Sequence, residues 1–144
     1  MGGIAGCTVG TIENCFNFGK VDSGTNVEEA GEIIGNQGTI SAENHLFINN
    51  SYNAGSVQGK KTGDVIGNIE YYSQTDTKTE LNNVYYKQEP AIGAGTLTSG
   101  EATKKTRLEM KSQEFIDLLN SNIGENAEWK KWKQSEEGYP TFEN

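Results

Sequence analysis

GEIIG at residues 31–35, GDVIG at 63–67 and GGIAG at 2–6 are three versions of one phrase. A Gly-rich chain can repeat five residues by chance, so the deciding observation is a second phrase that recurs in step with the first. IENCFNFGKV occupies 12–21, INNSYNAGSV 48–57 and LNNVYYKQEP 81–90. Ile12, Ile48 and Leu81 align, then Asn14, Asn50 and Asn83, then Phe16, Tyr52 and Tyr85; Asn17, Gly19 and Val21 of the first copy return as Asn53, Gly55 and Val57 in the second. Both phrases therefore share a loose period in the low thirties, the mark of an internal repeat. No apolar stripe of helical spacing precedes residue 100, which excludes helical repeats of similar length. Short β-rich phrases separated by Gly, Asn and Ser at such a period predict a solenoid whose coils stack like positions on one another.

Within a coil, the glycine phrase predicts a short strand with its apolar residues inward and glycines at turns or close backbone approaches. The second phrase sets Ile12, Asn14, Phe16 and Phe18 against Glu13, Cys15 and Asn17, the period-2 pattern of a strand with one buried face. Asn14 is the awkward member of the inward set. Two structural readings stand side by side: a stacked amide ladder of Asn14, Asn50 and Asn83, or a chain bend with asparagine in a left-handed conformation. Neither makes it a chemical site. Ile12, Ile48 and Leu81 are expected to be buried and stacked in neighbouring coils.

From Gly100 onward the code changes. Sixteen of the last 45 residues are charged, as many as in the 99 before them. Thr106–Glu109 fits a capping box, and Ser112 caps a helix whose apolar face is Phe115, Leu118 and Leu119. Trp129, Trp132 and GYPTF at 138–142 complete the segment with a closing strand, where Pro140 suits an edge position. A stacked solenoid needs such a lid over its last coil. The expected fold is thus mainly β: a β-helix or β-solenoid of about three coils over residues 1–99, with a small helical C-terminal cap and closing strand over 100–144. The two together form one structural unit, a fragment of a larger protein. The raw upstream end is expected to fray or to pair with a second copy end to end.

Composition narrows the function. Apolar residues make up 33% of the chain, against roughly 45–50% (glycine included) in an average domain, so a core must be made from little material. The net charge is −8 and Arg107 is the sole arginine; no basic face is offered to a nucleic acid or an anionic membrane. No apolar run is long enough to span a bilayer. Met1-Gly2-Gly3 begins no signal peptide, so any address lies outside this sequence. Cys7 and Cys15 permit at most one disulfide and form no metal or redox pair; two free, buried thiols are expected.

The G-x-[IV]-[IA]-G phrase paired with [IL]-x-N-x-[FY]-N-x-G-x-V resembles the GLUG-type repeats of bacterial surface proteins. The tail KSQEFIDLLN…WKKW…GYPTF is similar to segments that follow such arrays, and related arrays flank the catalytic part of bacterial immunoglobulin A1-specific metalloendopeptidases. The resemblance covers nearly the whole chain, and the third repeat departs from it at Tyr86 to Pro90. It implies a secreted or cell-wall-attached β-helical module with a spacer or adhesive role, partnered by a host or cell-wall glycan or protein, and no active site.

The competing reading is a carbohydrate-active enzyme, since β-helices also carry lyases and hydrolases. Such chemistry needs paired carboxylates. Asp22, Asp64 and Asp76 lie near repeat boundaries without sharing one aligned position, no D-x-D cluster exists, and Arg107 stands in the tail. His45 is the only histidine, which excludes H-E-x-x-H zinc chemistry. Glu28-Glu29 and Glu136-Glu137 read as solvated charges, not calcium ligands. No cofactor is expected. Tyr71-Tyr72 and Tyr85-Tyr86 can form an aromatic platform for sugar rings, with half of them turned into the core because neighbours in a strand face opposite ways.

Overall fold

A computed structural model describes residues 1–26, 29–38, 43–70 and 76–144. The chain is mainly β and divides into two compact units, Met1–Lys104 and Lys105–Asn144. In the first unit the strands are β1 (Ala5–Thr8), β2 (Gly10–Glu13), β3 (Phe16–Asn17), β4 (Lys20–Asp22), β5 (Glu29–Gly31), β6 (Ile34–Gln37), β7 (Glu43–Asn53), β8 (Ser56–Gln58), β9 (Lys61–Gly63), β10 (Ile66–Ile69), β11 (Asp76–Tyr86) and β12 (Ser99–Lys104).

Among the described residues every strand pair of this unit is parallel, and partners lie one sequence period apart except in β11–β12, where they are 18 or 19 residues apart. The glycine phrases supply a three-stranded sheet, β1-β6-β10, in which Ala5 pairs with Ile34 and Ile34 with Ile66. The asparagine phrases supply a larger sheet, β2-β7-β11-β12, with β3 continuing beside β7. Ile12, Ile48 and Leu81 are register partners there, as their alignment predicts. Two smaller pairs, β4-β8 and β5-β9, fill the corners. Parallel strands ordinarily need a helical crossover; here the crossover consists of the other short strands, and glycines make the tight passages. A Cβ on Gly31 would strike the Ile34 carbonyl, and one on Gly67 would sit 2.6 Å from the Ala30 carbonyl.

Alternation in β7 decides what is buried. Asn44, Leu46, Ile48 and Asn50 point in, while His45, Phe47 and Asn49 remain half-exposed. The core is built from Ile33, Ile34, Leu46, Ile48, Val65, Ile66, Ile69, Leu81, Val84 and Tyr86, with Ile12 packed against it from a half-buried position. Little apolar material suffices because like residues stack column by column. Buried polar groups hold neighbouring passages together. Gln37, fully buried, donates to the carbonyls of Asn44 (3.0 Å) and Lys78 (3.1 Å) and accepts from the Thr79 hydroxyl.

The sheet runs further than the sequence motifs do. Repeats are expected to end near residue 98, yet β12 pairs with β11, Leu81 lying opposite Gly100. AIGAG at 91–95 acts as a fourth glycine phrase, with Ile92 bridged to Ile66 and the Val65 amide donating to the Ala91 carbonyl at 2.9 Å. The boundary between units accordingly falls after Lys104 rather than after residue 99. Composition misplaces it because Gly100, at φ 76°, occupies a leucine position where a Cβ would strike the Leu81 carbonyl. The passage keeps the backbone path while losing the motif's side chains.

The second unit contains α1 (Arg107–Met110), α2 (Gln113–Ser121), β13 (Trp132–Gln134) and β14 (Pro140–Phe142). The capping box forms: the Glu109 amide donates to Thr106 Oγ1 at 3.2 Å, and the Thr106 amide donates to Glu109 Oε2 at 2.6 Å. Ser112 caps α2 by accepting from the Phe115 amide. The buried face of α2 is Phe115, Ile116 and Leu119, so Ile116 takes the place expected of Leu118, which is half-buried. Trp132 is buried, its ring 4.4 Å from that of Phe142. The Asn120 amide clasps its backbone on both sides, accepting from the Trp132 N–H at 2.8 Å and donating to its carbonyl at 2.9 Å. Pro140 begins β14 in a two-stranded antiparallel sheet, where its missing N–H costs nothing central.

Candidate functional site

The aligned asparagines all take the bend, and two of them, Asn14 and Asn50, also share an amide contact. Asn14, Asn50 and Asn83 stand at φ 49°, 43° and 54°, in the left-handed region that asparagine tolerates better than most residues. Asn50 Nδ2 also donates to Asn14 Oδ1 at 2.9 Å, across one sequence period. Asn50 is fully buried, Asn14 nearly so, and Asn83 half-buried. The bend and the amide contact turn one corner of the chain, and their role is architectural.

The tyrosines behind the bend are corrected: Tyr86 lies in the core cluster with Val84, and Tyr85 is buried outside it. Val84, Tyr85 and Tyr86 are all buried, so neither Tyr85 nor Tyr86 offers a platform to a sugar. Tyr86 instead donates its hydroxyl to Glu89 Oε1 at 2.8 Å, and burial followed by that contact pushes its pKa up to about 12. Tyr71 and Tyr72 lie outside the described residues. The cysteines are corrected as well. Both thiols are free, but Cys7 is exposed on β1 and Cys15 only half-buried, its Sγ donating to the Glu13 carbonyl.

Aromatic and hydrogen-bonding groups meet on the outer face of the larger sheet. A groove with a cavity volume of about 520 Å³ runs across β2, β7, β11 and β12. Its side chains form two rows that follow the register. One row is Thr11, Phe47, Glu80 and Ser99; the other is Glu13, Asn49 and Asn82. Asn82 Nδ2 donates to Asn49 Oδ1 at 3.1 Å. Phe47 has the His45 ring edge-on at 6.2 Å, and His45 reaches Asp76 at 3.2 Å. The His45 contact, with help from Lys78, holds the Asp76 carboxyl below its ordinary range.

A second cluster is buried at the corner where the two phrases meet. Glu32 and Asp64 occupy the second position of GEIIG and GDVIG and are 0% and 1% exposed. Asn17 of the first asparagine phrase faces Glu32, its Nδ2 donating to Glu32 Oε2. Gly55 makes room for the same carboxylate, since a Cβ there would lie 2.7 Å from Glu32 Oε2. Asp64 Oδ2 accepts from the Lys87 and Gln88 amides at 2.8 and 2.9 Å. Glu32 Oε1 is buried without a hydrogen-bond partner, while the Asn53 side chain bonds the Asp64 carboxylate. Burial pushes Glu32 up to about 7, with the Asp64 charge adding to the shift and the Val21 amide, Lys87 and Asn17 opposing it. Burial raises Asp64 too, against the Gln88 and Lys87 amides, the Asn53 side chain and the Lys87 charge.

The three aspartates weighed as catalytic groups stand in three different settings. Asp22 is an exposed turn residue paired with Lys20 at 2.9 Å, Asp64 is the buried corner acid, and Asp76 flanks the sheet face. Among the described residues no group of three or more His, Cys, Asp or Glu is placed to hold a metal ion. Glu136 and Glu137 are exposed or nearly so, Glu29 pairs with Lys61 at 3.8 Å, and Glu28 lies outside the described residues. No helix among the described residues is long and apolar enough to cross a membrane.

Sequence reasoning missed Glu32, although its alignment with Asp64 was available in the phrase itself. Phe47 was missed because the groove depends on β2 and β11 lying beside β7 and on β12 lying beside β11. The chain matches no family model, no curated protein and no solved structure.

Proposed function

We propose that this chain is a β-solenoid module of a bacterial secreted or cell-surface protein, of the GLUG-repeat kind, and that its role is structural and adhesive rather than catalytic. The observation that carries this reading is the register: residues one period apart are partners in parallel strands, Ile12 with Ile48 and Ile48 with Leu81. Successive passages of this kind bury a common core and leave one long sheet face free, the layout of a spacer that also presents a surface. The groove on that face favours a glycan as the surface's ligand. It sets the Phe47 ring among carboxylates, amides and hydroxyls spaced by the strand separation, and sugar rings need just such a flat apolar contact with hydrogen-bonding groups around it. The enzyme reading has less support, because Asp22, Asp64 and Asp76 do not converge.

Two measurements test the proposal. Antibodies against the chain should label intact, unpermeabilised cells of the source organism; labelling that requires permeabilisation overturns the surface assignment. On a glycan array the protein should retain at least one class of saccharide, and Phe47→Ala should lose it while unfolding at the wild-type temperature. Turnover of a retained saccharide overturns the non-catalytic assignment.

A further inference from the structure

The corner cluster carries an inference that the adhesive role does not need. Two carboxylates one period apart are both out of water, and Glu32 keeps one oxygen without a partner. A buried ionised carboxylate with an unsatisfied oxygen is strongly disfavoured, and two that feel each other's charge are worse. Their surroundings differ in a way that chooses which one gives way. Asp64 sits on two backbone N–H groups, from Lys87 and Gln88, and is also bonded by the Asn53 side chain. Glu32 has the Asn17 amide and the Val21 backbone N–H. Lys87 is the nearby cation, and its ammonium is committed to the Ala54 carbonyl at 2.8 Å. Tyr86 and Glu89 bond to each other beside Asp64, and Tyr86 stays neutral throughout the physiological range. The corner thus holds more negative charge than its donors neutralise.

We propose that Glu32 and Asp64 form a proton-operated latch, in which a proton on Glu32 closes the corner joining successive passages and its loss loosens that corner. Asp64 keeps its charge on the two amides. Glu32 takes the proton, which removes one of the two like charges and the need to solvate Glu32. When the proton leaves, the repulsion and the unsolvated oxygen are relieved by letting water reach Gly19, Gly55 and the 87–88 amides. The geometry alone confines the effect to this corner, because Glu32 contacts the β3–β4 and β7–β8 turns while Asp64 contacts the segment after β11.

Hydrogen exchange on the intact chain at pH 5 and pH 8.5, corrected for the intrinsic pH dependence of exchange, reads the latch. Opening at the amides of Val21, Gly55, Lys87 and Gln88 should increase on the order of a hundredfold between the two pH values, tenfold for each unit that separates the closed and open pKa. Amides of Leu46 and Ile48 should change far less. Glu32→Gln should abolish the increase. An equal pH response in Glu32→Gln, or a wild-type corner whose corrected exchange does not change, overturns the proposal. Carbon-detected titration of the Glu32 carboxyl in the wild-type protein keeps the idea testable should the variant misfold: a midpoint near 7 supports the latch, and a midpoint in the ordinary glutamate range overturns it.

Discussion

Asn50 shows how much one residue is asked to do. It adopts φ 43°, is fully buried, and donates to Asn14. Asn50→Gly keeps the backbone and loses the amide contact, whereas Asn50→Ala loses the contact and strains the backbone as well. Losing a buried hydrogen bond costs roughly 1–3 kcal/mol, and forcing alanine into the left-handed region adds about 1–2 kcal/mol. Denaturant unfolding should therefore rank the variants wild type, Gly, Ala. Glu32 makes a prediction of the opposite sign. Its folded pKa of about 7 lies above the ordinary 4.5, so its stabilisation is complete below the unfolded value and is lost as pH rises through 7. The melting temperature should fall between pH 5 and pH 8.5, by the equivalent of at most about 3 kcal/mol, and Glu32→Gln should flatten that decline and be the more stable protein at pH 8.5. The cysteines separate kinetically. Cys7 is exposed, while burial raises the Cys15 thiol above its ordinary value. Iodoacetamide without reductant should label Cys7 first and Cys15 slowly; a protein that takes no label would contain a disulfide and contradict the structure.

At the scale of the element, β7 is the strand on which the others depend. It pairs with β2 and β3 on one side and β11 on the other, and Ile48 lies at its centre, 1% exposed between Ile12 and Leu81. Ile48→Ala should cost about 2–5 kcal/mol, since rigid neighbours on both sides cannot collapse into the cavity. A loss below 1 kcal/mol in chemical denaturation would mean that the column is not continuous. β12 was invisible to pattern reading for a physical reason. Opposite Leu81 it places the exposed Gly100, which carries no side chain and adopts φ 76°, and Ala102 is its one residue packed against the core, so the strand leaves no apolar period to find. The helices of the second unit were the reverse case. Thr106, Glu109 and Ser112 announce their caps locally, because capping satisfies amides within the same turn. Leu118 was misassigned for Ile116 because a short helix with apolar residues at 115, 116, 118 and 119 admits two faces, and only the packed structure selects one.

For the whole molecule, the exposed edges set the association behaviour. β1, β2 and β4 are each the terminal strand of their sheet, and Met1, Ile4 and Phe18 are 48%, 39% and 38% exposed. Unpaired strand edges beside exposed apolar residues invite pairing with another chain. Light scattering across a concentration series should show a mass that grows toward a dimer, and Ile4→Lys with Phe18→Lys should return it to monomer. A wild-type chain that stays monomeric at high concentration would show that these edges do not pair.

The period, the pairing register and the mainly β character followed from the sequence by itself, because recurring phrases must stack like on like for so small an apolar fraction to make a core. Ile12, Ile48 and Leu81 could be placed in one column without any coordinates. What lies inside was decided by tertiary structure. Glu32, Asp64, Gln37 and Thr79 are polar residues whose partners lie a passage away in the chain, so their burial depends on contacts that no local pattern encodes. Tyr86 joins the core cluster with Val84, while Tyr85 is buried off that cluster with Tyr52 as its strand partner, a burial that alternation along β11 does not encode. The groove around Phe47 exists only because four strands far apart in sequence lie side by side, and a surface built across strands has no counterpart in the order of residues along any one of them.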